Sequence, residues 1–270
     1  MYNLISNKVN LNIVLLSDIH YSYQVNKKVF FKILNKFKKL KPDYICIPGD
    51  IVDESTDYDE NVYNFFNELS KISKVIISLG NHDLSKFIKN NMEYYDTKWY
   101  ENIKKINNIY VLNNEQITFD NITFTGYSPS FINNEYQDNT NNTINDLKKL
   151  NFNINEYNIL LCHSPQSILG NNELYNNEFI KHQDLILCGH MHNGMVPPLF
   201  DKIIRNNYGI IAPGKTWFPK YSRGLIKFNN TTLIICKGYT KLAKHSYFLR
   251  FLNVFYTKEL EKVLIKKVEN

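Results

Sequence analysis

Five short polar stretches constrain this chain more than any other feature. They are Asp18-Ile19-His20, Gly49-Asp50-Ile51-Val52-Asp53, Gly80-Asn81-His82-Asp83, the single His163 in Leu161-Cys162-His163-Ser164-Pro165, and Gly189-His190-Met191-His192. Each directly follows an apolar run of the length of a buried strand. Loops that all lie just past strand ends converge when the strands lie side by side with their carboxyl ends at one edge. The stretches hold five of the seven histidines of the chain.

The runs between them read as alternating elements. Leu11–Ser17 is a short apolar strand. Val25–Leu40 carries helical spacing through Val29, Phe30, Ile33, Leu34 and Phe37, with lysines on the other face, and Pro42 stops it. Tyr44–Ile47 is a strand, Asp59–Ser70 a helix and Lys74–Leu79 a strand. Strand, helix, strand, helix, strand implies right-handed crossovers and a parallel sheet. A helix over Trp99–Ile106 and strands at Ile109–Leu112, Ile117–Phe119 and Ile122–Gly126 follow. The Asn-rich stretch Ser128–Asn158 reads as a loop with one modest helix around Ile144–Leu150. Strands are expected at Tyr157–Cys162, Asp184–Cys188, Gly209–Ile211, Leu225–Phe228 and Thr232–Cys236.

Composition narrows the class. The chain has 270 residues, 43% hydrophobic and 21% charged, enough for a large α/β core. With no linker and no internal repeat, residues 1–270 read as a single domain. Residues 239–270 form an aromatic and basic C-terminal segment with a dense cluster at Phe248, Leu249, Phe251, Leu252, Val254 and Phe255. That cluster suits a helix lying on a membrane or ordinary packing on the core, with Glu261–Lys266 as a last strand. Packing is the expectation. The four cysteines, Cys46, Cys162, Cys188 and Cys236, lie in or beside apolar runs without paired spacing, which predicts buried reduced thiols. No secretory signal opens the chain and no run approaches the ~20 apolar residues of a membrane span, so a cytoplasmic protein is expected. The net charge of +6 is spread out and gives no dense basic patch or RNA-binding signature, so nucleic acid is not an expected partner.

The chemistry lies in the five stretches taken together. Their carboxylate, imidazole and amide donors suit two hard or borderline divalent cations and need no thiolate. Such a pair activates water for attack on phosphorus. Any one of the motifs alone is weak. The ordered set D-x-H, G-D-x-x-D, G-N-H-D, H, G-H-x-H resembles the calcineurin-like metallophosphoesterases, over residues 11 to about 230. Tyr208-Gly209-Ile210-Ile211-Ala212-Pro213-Gly214 and Phe218-Pro219-Lys220-Tyr221-Ser222-Arg223-Gly224 look like the bacterial membrane-associated branch, whose members are described as acting on lipid-linked or UDP-sugar phosphates. The chain departs from that branch in opening without the membrane anchor that many members carry. It also has Met191-His192-Asn193-Gly194 where Thr-His-Gly-Gly is common, which leaves the histidine in place.

The resemblance implies an α/β fold, a four-layer α/β/β/α sandwich with two central mixed sheets. It implies one metal site of Asp18, His20, Asp50 and His192 and a second of Asp50, Asn81, His163 and His190, with Asp50 shared. The cations would be Mn, Fe, Zn or Co. It further implies that His82 meets the leaving group as a proton donor and that Asp53 holds the His82 ring. Asp83 reads as a helix cap. The expected function is metal-dependent phosphoester hydrolysis, on a phosphorylated small molecule or a lipid-linked substrate with peripheral contact at the inner face of a membrane. The alternatives are a cyclic-nucleotide or nucleic-acid phosphodiesterase and a non-catalytic metal-binding scaffold.

Overall fold

Apolar runs too short for helices and flanked by turn residues become strands here, and the amphipathic runs become the helices that cover them. A computed structural model of the chain describes residues 1–21, 28–52, 60–84, 86–88, 93–95, 99–128, 147, 149–170, 176–200, 203–204, 207–211, 217–239 and 260–268. Strands β1 (Tyr2–Ser6) and β2 (Leu11–Leu15) precede helix α1 (Lys28–Leu40), β3 (Tyr44–Pro48), α2 (Glu60–Ser70) and β4 (Lys74–Ser78). The one-turn helix α3 (Asn81–Leu84), the ribbon of β5 (Lys86–Ile88) and β6 (Glu93–Tyr95), and α4 (Tyr100–Ile103) lead to β7 (Ile109–Val111). Next come β8 (Glu115–Phe119), β9 (Ile122–Tyr127), β10 (Tyr157–Cys162), α5 (Gln166–Leu169), α6 (Glu178–Lys181) and β11 (Leu185–Cys188). The last strands are β12 (Gly224–Phe228), β13 (Thr231–Ile235) and β14 (Glu261–Lys267).

Two six-stranded sheets result, in the orders β1-β14-β2-β3-β4-β7 and β12-β13-β11-β10-β9-β8. In the first, β2, β3, β4 and β7 run parallel, while β14 lies antiparallel to β2 and parallel to β1. In the second, β13, β11, β10 and β9 run parallel between antiparallel edges β12 and β8. Both sheets are mixed, as the resemblance implies.

Alternation along the strands divides the apolar residues among three cores. Val14, Ile45, Ile47, Val75 and Ile77 face outward against Phe30, Ile33, Phe37, Phe65 and Phe66 of α1 and α2. Their neighbours Ile13, Leu15, Cys46 and Ile76 face inward and meet Phe124, Ile159, Leu161 and Leu185 of the other sheet. Leu160, Cys162, Ile186 and Cys188 point to the far side, onto Ile168 and Phe179. The layers are therefore helix, sheet, sheet, helix. Strands buried on both faces explain why these runs are continuously apolar. All four cysteines are free and buried.

Several expectations shift. The predicted helix over Trp99–Ile106 is one helical turn followed by hydrogen-bonded turns. Gly209–Ile211 is not a ladder strand; only isolated bridges, Tyr208↔Lys220 and Ile211↔Trp217, pair it. The polar-looking opening of the chain hides β1, whose pairing with β14 joins residues more than 250 positions apart. The helix around Ile144–Leu150 and the cluster from Phe248 to Phe255 lie outside the described residues, apart from Leu147, Lys149 and Leu150. The expected strand at Glu261–Lys266 is present and lies inside the first sheet, between β1 and β2. Among the described residues no helix is long and apolar enough to cross a membrane.

An interior position for β14 has a measurable consequence. Ile265 is 2% exposed and packs in the layer between the sheets. Ile265→Ala should therefore cost about 2–5 kcal/mol, the range for a truncated core aliphatic. Urea unfolding reads this directly, and a cost below about 0.5 kcal/mol would show that β14 is a loosely attached tail.

Candidate metal centre

The two sheets are aligned so that the carboxyl ends of β2, β3 and β4 lie beside those of β10 and β11. Past the strand ends the loops after β2 and β3 continue to pair. The Asp18 amide donates to Gly49 O at 3.2 Å, the His20 amide to Asp50 O at 3.0 Å and the Tyr21 amide to Ile51 O at 2.8 Å. The loops after β10 and β11 do the same, with the Gly189 amide donating to His163 O at 2.8 Å. Two cross-sheet contacts join the pairs. His163 Nδ1 lies 2.7 Å from Pro48 O, and the His190 amide donates to Asp18 Oδ1 at 3.0 Å.

The approach is close enough to demand glycine. Gly49 and Gly80 face each other, and a Cβ on Gly80 would stand 2.2 Å from Asp50 Oδ1. The backbone is also bent into a costly shape. Asp18, His20, Asp50, His190 and His192 all have positive φ, between 44° and 69°. Each such residue costs on the order of 1 kcal/mol and persists only where its surroundings over-determine it. Ten other non-glycine residues among those described share this conformation, but five of the seven expected metal ligands adopt it.

Carboxylates and imidazoles crowd into this corner. His163 Nε2 is 3.1 Å from Asp50 Oδ2, His20 Nε2 is 3.5 Å from the same oxygen, and His192 Nε2 is 3.7 Å from Asp18 Oδ1. Two imidazole pairs meet nitrogen to nitrogen, His190 with His163 at 3.2 Å and His20 with His192 at 3.3 Å. Three overlapping groups could hold an ion: Asp18 with His20 and His192, His20 with Asp50 and His82, and Asp50 with His163 and His190. The first holds three of the four residues expected at one site and the third three of the four expected at the other, while the second includes His82, which the resemblance sets at the leaving group. Asn81 opens α3 beside them with its amide oxygen buried.

The spacing fits cations. Bonds of about 2.0–2.2 Å to nitrogen or oxygen place neighbouring ligand atoms about 3.0–3.4 Å apart in octahedral or tetrahedral geometry. The closest separations here fall in that range. Without cations the charges conflict. Burial alone would raise the Asp50 carboxyl, but His163, His82 and His20 outweigh it and hold the carboxyl well below the usual range. Burial lowers His163, yet Asp50 overrides it and pushes that ring up to about 10. At His190 burial wins, with His163 as a like-charged neighbour, and the value falls to about 3. Neutral imidazoles and ionised carboxylates are the states a metal requires. Pro48 O holds His163 Nδ1 as a donor, so it is Nε2 that faces Asp50, and a cation bound there would displace the proton that Asp50 favours on this ring.

His82 stands partly exposed at the rim, its ring edge-on to His20 at 4.6 Å between centroids. Its amide donates to Asp50 Oδ1 at 3.0 Å. Asp53 lies outside the described residues. Asp83 does more than cap a helix. It is fully buried, and its Oδ2 accepts from the Asp50 and Gly80 amides at 2.7 and 2.9 Å. Its Oδ1 accepts from Ile51 and Val52 at 2.9 and 3.1 Å. One carboxylate thus ties the loop after β3 to the loop after β4. Its position three residues after Gly80 suggests only the cap. Ser128, at the end of β9, is a second brace, accepting from the Leu79 amide at 3.2 Å.

Removing this brace should be severe. Asp83→Ala leaves four amides in a buried loop without their acceptor, at an expected cost of about 3–5 kcal/mol. For a chain of this size that is a fall in melting temperature of roughly 10 °C, read by calorimetry, and a shift of less than about 2 °C would remove Asp83 from this role.

Comparison with known proteins agrees with the geometry. A family profile described as "Calcineurin-like phosphoesterase" matches residues 11–194. An uncharacterised metallophosphoesterase of Campylobacter jejuni, Cj0846, is 26% identical over 71% of this chain and 46% of its own length. A Caenorhabditis elegans protein described as "Putative metallophosphoesterase F40B5.2" is 30% identical over 72% of this chain and 39% of its own length. The chain thus spans less than half the length of these relatives. The crystal structure of TT1561 of Thermus thermophilus superposes with a TM-score of 0.51 at 12% identity, covering 94% of this chain and 98% of that one, a likeness of fold. The profile spans all five polar stretches, and this chain belongs to the calcineurin-like phosphoesterase family.

Proposed function

We propose that the chain hydrolyses phosphoester bonds at a two-cation centre. The convergence of Asp18, His20, Asp50, His163, His190 and His192 in one corner, at ligand-to-ligand spacing, carries this reading. Asp18, His20 and His192 would hold one ion, and Asn81, His163 and His190 the other, with Asp50 serving both. When bound, such a pair lowers the pKa of water and takes up charge on the phosphoryl oxygens.

The surrounding residues have definable tasks. Pro48 O fixes the His163 tautomer, and the His82 amide orients Asp50. The partly exposed His82 ring would give a proton to the leaving oxygen. Asp53, three positions after Asp50, is the residue proposed to hold that ring. A complete donor set argues against the non-catalytic scaffold.

With added Mn²⁺ the purified protein should hydrolyse p-nitrophenyl phosphate or its bis ester, and Asp50→Asn should abolish this. His82→Ala should lower kcat about 10²-fold or more while the number of ions bound stays the same. Loss of an ion in His82→Ala would move His82 into the ligand set, and a metal-loaded wild type silent on every phosphoester would sink the reading.

A second reading concerns the substrate, a lipid-linked or UDP-sugar phosphate met at the inner face of a membrane. It rests on exposed apolar side chains just after His192. The Ile210 amide donates to Gly194 O at 2.7 Å and the Phe218 amide to Ile210 O at 2.9 Å, so these bridged residues are pinned two residues from His192. It presents Trp217 and Phe218 at 66% and 70% exposure, and Leu199, Phe200 and Ile203 are exposed on the preceding loop. Aromatic and aliphatic tips among basic residues suit a lipid surface. Trp217→Ser with Phe218→Ser should cut co-sedimentation with anionic liposomes while leaving hydrolysis of soluble esters intact. Equal sedimentation of variant and wild type would exclude this face.

A further inference from the structure

A buried carboxylate connects β14 to the candidate centre. Glu261 begins β14 opposite Leu15 of β2 and is 4% exposed. Its Oε1 accepts from Tyr2 Oη at 3.1 Å and its Oε2 from the Lys237 amide at 3.2 Å, and the Cys236 thiol also bonds to it. Burial pushes this carboxyl upward. A carboxylate taken out of water and met mainly by neutral donors is costly, so its position calls for a purpose.

The Lys237 amide marks the start of that purpose. Residues 237–239 leave the end of β13 and turn beneath the loop after β2. The Cys236 amide donates to Cys188 O at 2.8 Å, and the Tyr239 amide donates to Ser17 O at 3.1 Å and Asp18 O at 3.4 Å. Gly238 lies between them with φ 81°. A Cβ there would stand 3.1 Å from Asp18 Cβ and 3.4 Å from His192 Nδ1. The turn therefore backs two of the three residues grouped as Asp18, His20 and His192. Both have strained backbones, φ 54° and 45°, which need external restraint. The other group touches the Asp18 carboxylate through the His190 amide, which donates to Asp18 Oδ1, and is otherwise held from elsewhere, His163 by Pro48 and the Asp50 loop by Asp83.

We propose that Glu261 is a positioning residue for the cation site of Asp18, His20 and His192, acting through the backbone of residues 237–239. It sets the affinity of that site without setting the affinity of the other. The proposal rests on the two-cation reading above and adds to it an asymmetry. The site of Asp18, His20 and His192 depends on the C-terminal strand, and the site of Asn81, His163 and His190 does not.

Glu261→Met in the full chain separates positioning from stability. Methionine fills the buried volume with no charge to desolvate, and it cannot accept from the Lys237 amide. Mn²⁺ binding is read by calorimetric titration and by metal content after gel filtration, with His192→Ala and His163→Ala identifying the two events. Wild type should take up two ions. In Glu261→Met the event absent from His192→Ala should weaken about 10–100-fold, while the event absent from His163→Ala stays within about twofold. The near-UV spectrum and melting temperature should stay native. Gly238→Ala should give the same one-sided loss by crowding Asp18 and His192. Glu261→Gln keeps an acceptor for the Lys237 amide and should stay within about threefold of wild type. Even weakening of both events, no change in either, or a loss in Glu261→Gln as large as in Glu261→Met overturns the proposal. A wild type that binds no Mn²⁺ removes the two-cation reading as well, which distinguishes the two failures.

Discussion

Two carboxylates and five imidazoles do not gather in a dry corner of a protein unless something outweighs their desolvation and mutual repulsion. Asp18 and Asp50 are almost wholly buried, and imidazole nitrogens face one another at 3.2 and 3.3 Å. The rest of the architecture serves that arrangement. Two sheets with aligned carboxyl ends bring the loops together, and glycines at 49 and 80 let the backbones approach. Backbone amides directed to Asp83 and between the Ser17–Tyr21 and Gly49–Ile51 loops keep Asp18, His20 and Asp50 in a left-handed conformation they would otherwise leave.

The strain explains why this corner is so heavily braced. A loop held only at its strand ends would relax toward ordinary backbone angles and move the side chains apart. Here each loop is fixed along its length by neighbours from another part of the chain: Asp18 by Gly49 and Tyr239, the Asp50 loop by Asp83, His163 by Pro48. Rigidity of this kind removes the reorganisation that binding a cation would otherwise require.

Much of this was legible in the sequence, for a definite reason. Asp18, His20, Asp50, Asn81, His82, His163, His190 and His192 each interrupt an apolar run, and a polar donor at that position stands out. Strands buried on both faces, such as Tyr157–Cys162, have sharp boundaries in the sequence because nearly every residue in them is apolar. What escaped depends on partners distant in the chain. None of the apolar residues of β1, Tyr2, Leu4 and Ile5, is fully buried, and the strand forms because β14 offers it an edge. Asp83 and Glu261 look like ordinary surface acids, and only the fold shows that both are buried against backbone amides. The region Gly209–Ile211 carries a strand-like composition, yet among the described residues only isolated bridges pair it.

The insertion of β14 between β1 and β2 also has a bearing on how the protein comes into being. Until residues 261–267 emerge from the ribosome, β2 has an open edge on the side away from β3, and β1 lacks its partner strand. Contacts closed over so long a stretch of chain form late and slowly. A nascent polypeptide therefore carries every donor of the candidate centre well before it has the full sheet that backs Asp18 and His20, and the proposed site of Asp18, His20 and His192 would be completed only once β14 is made.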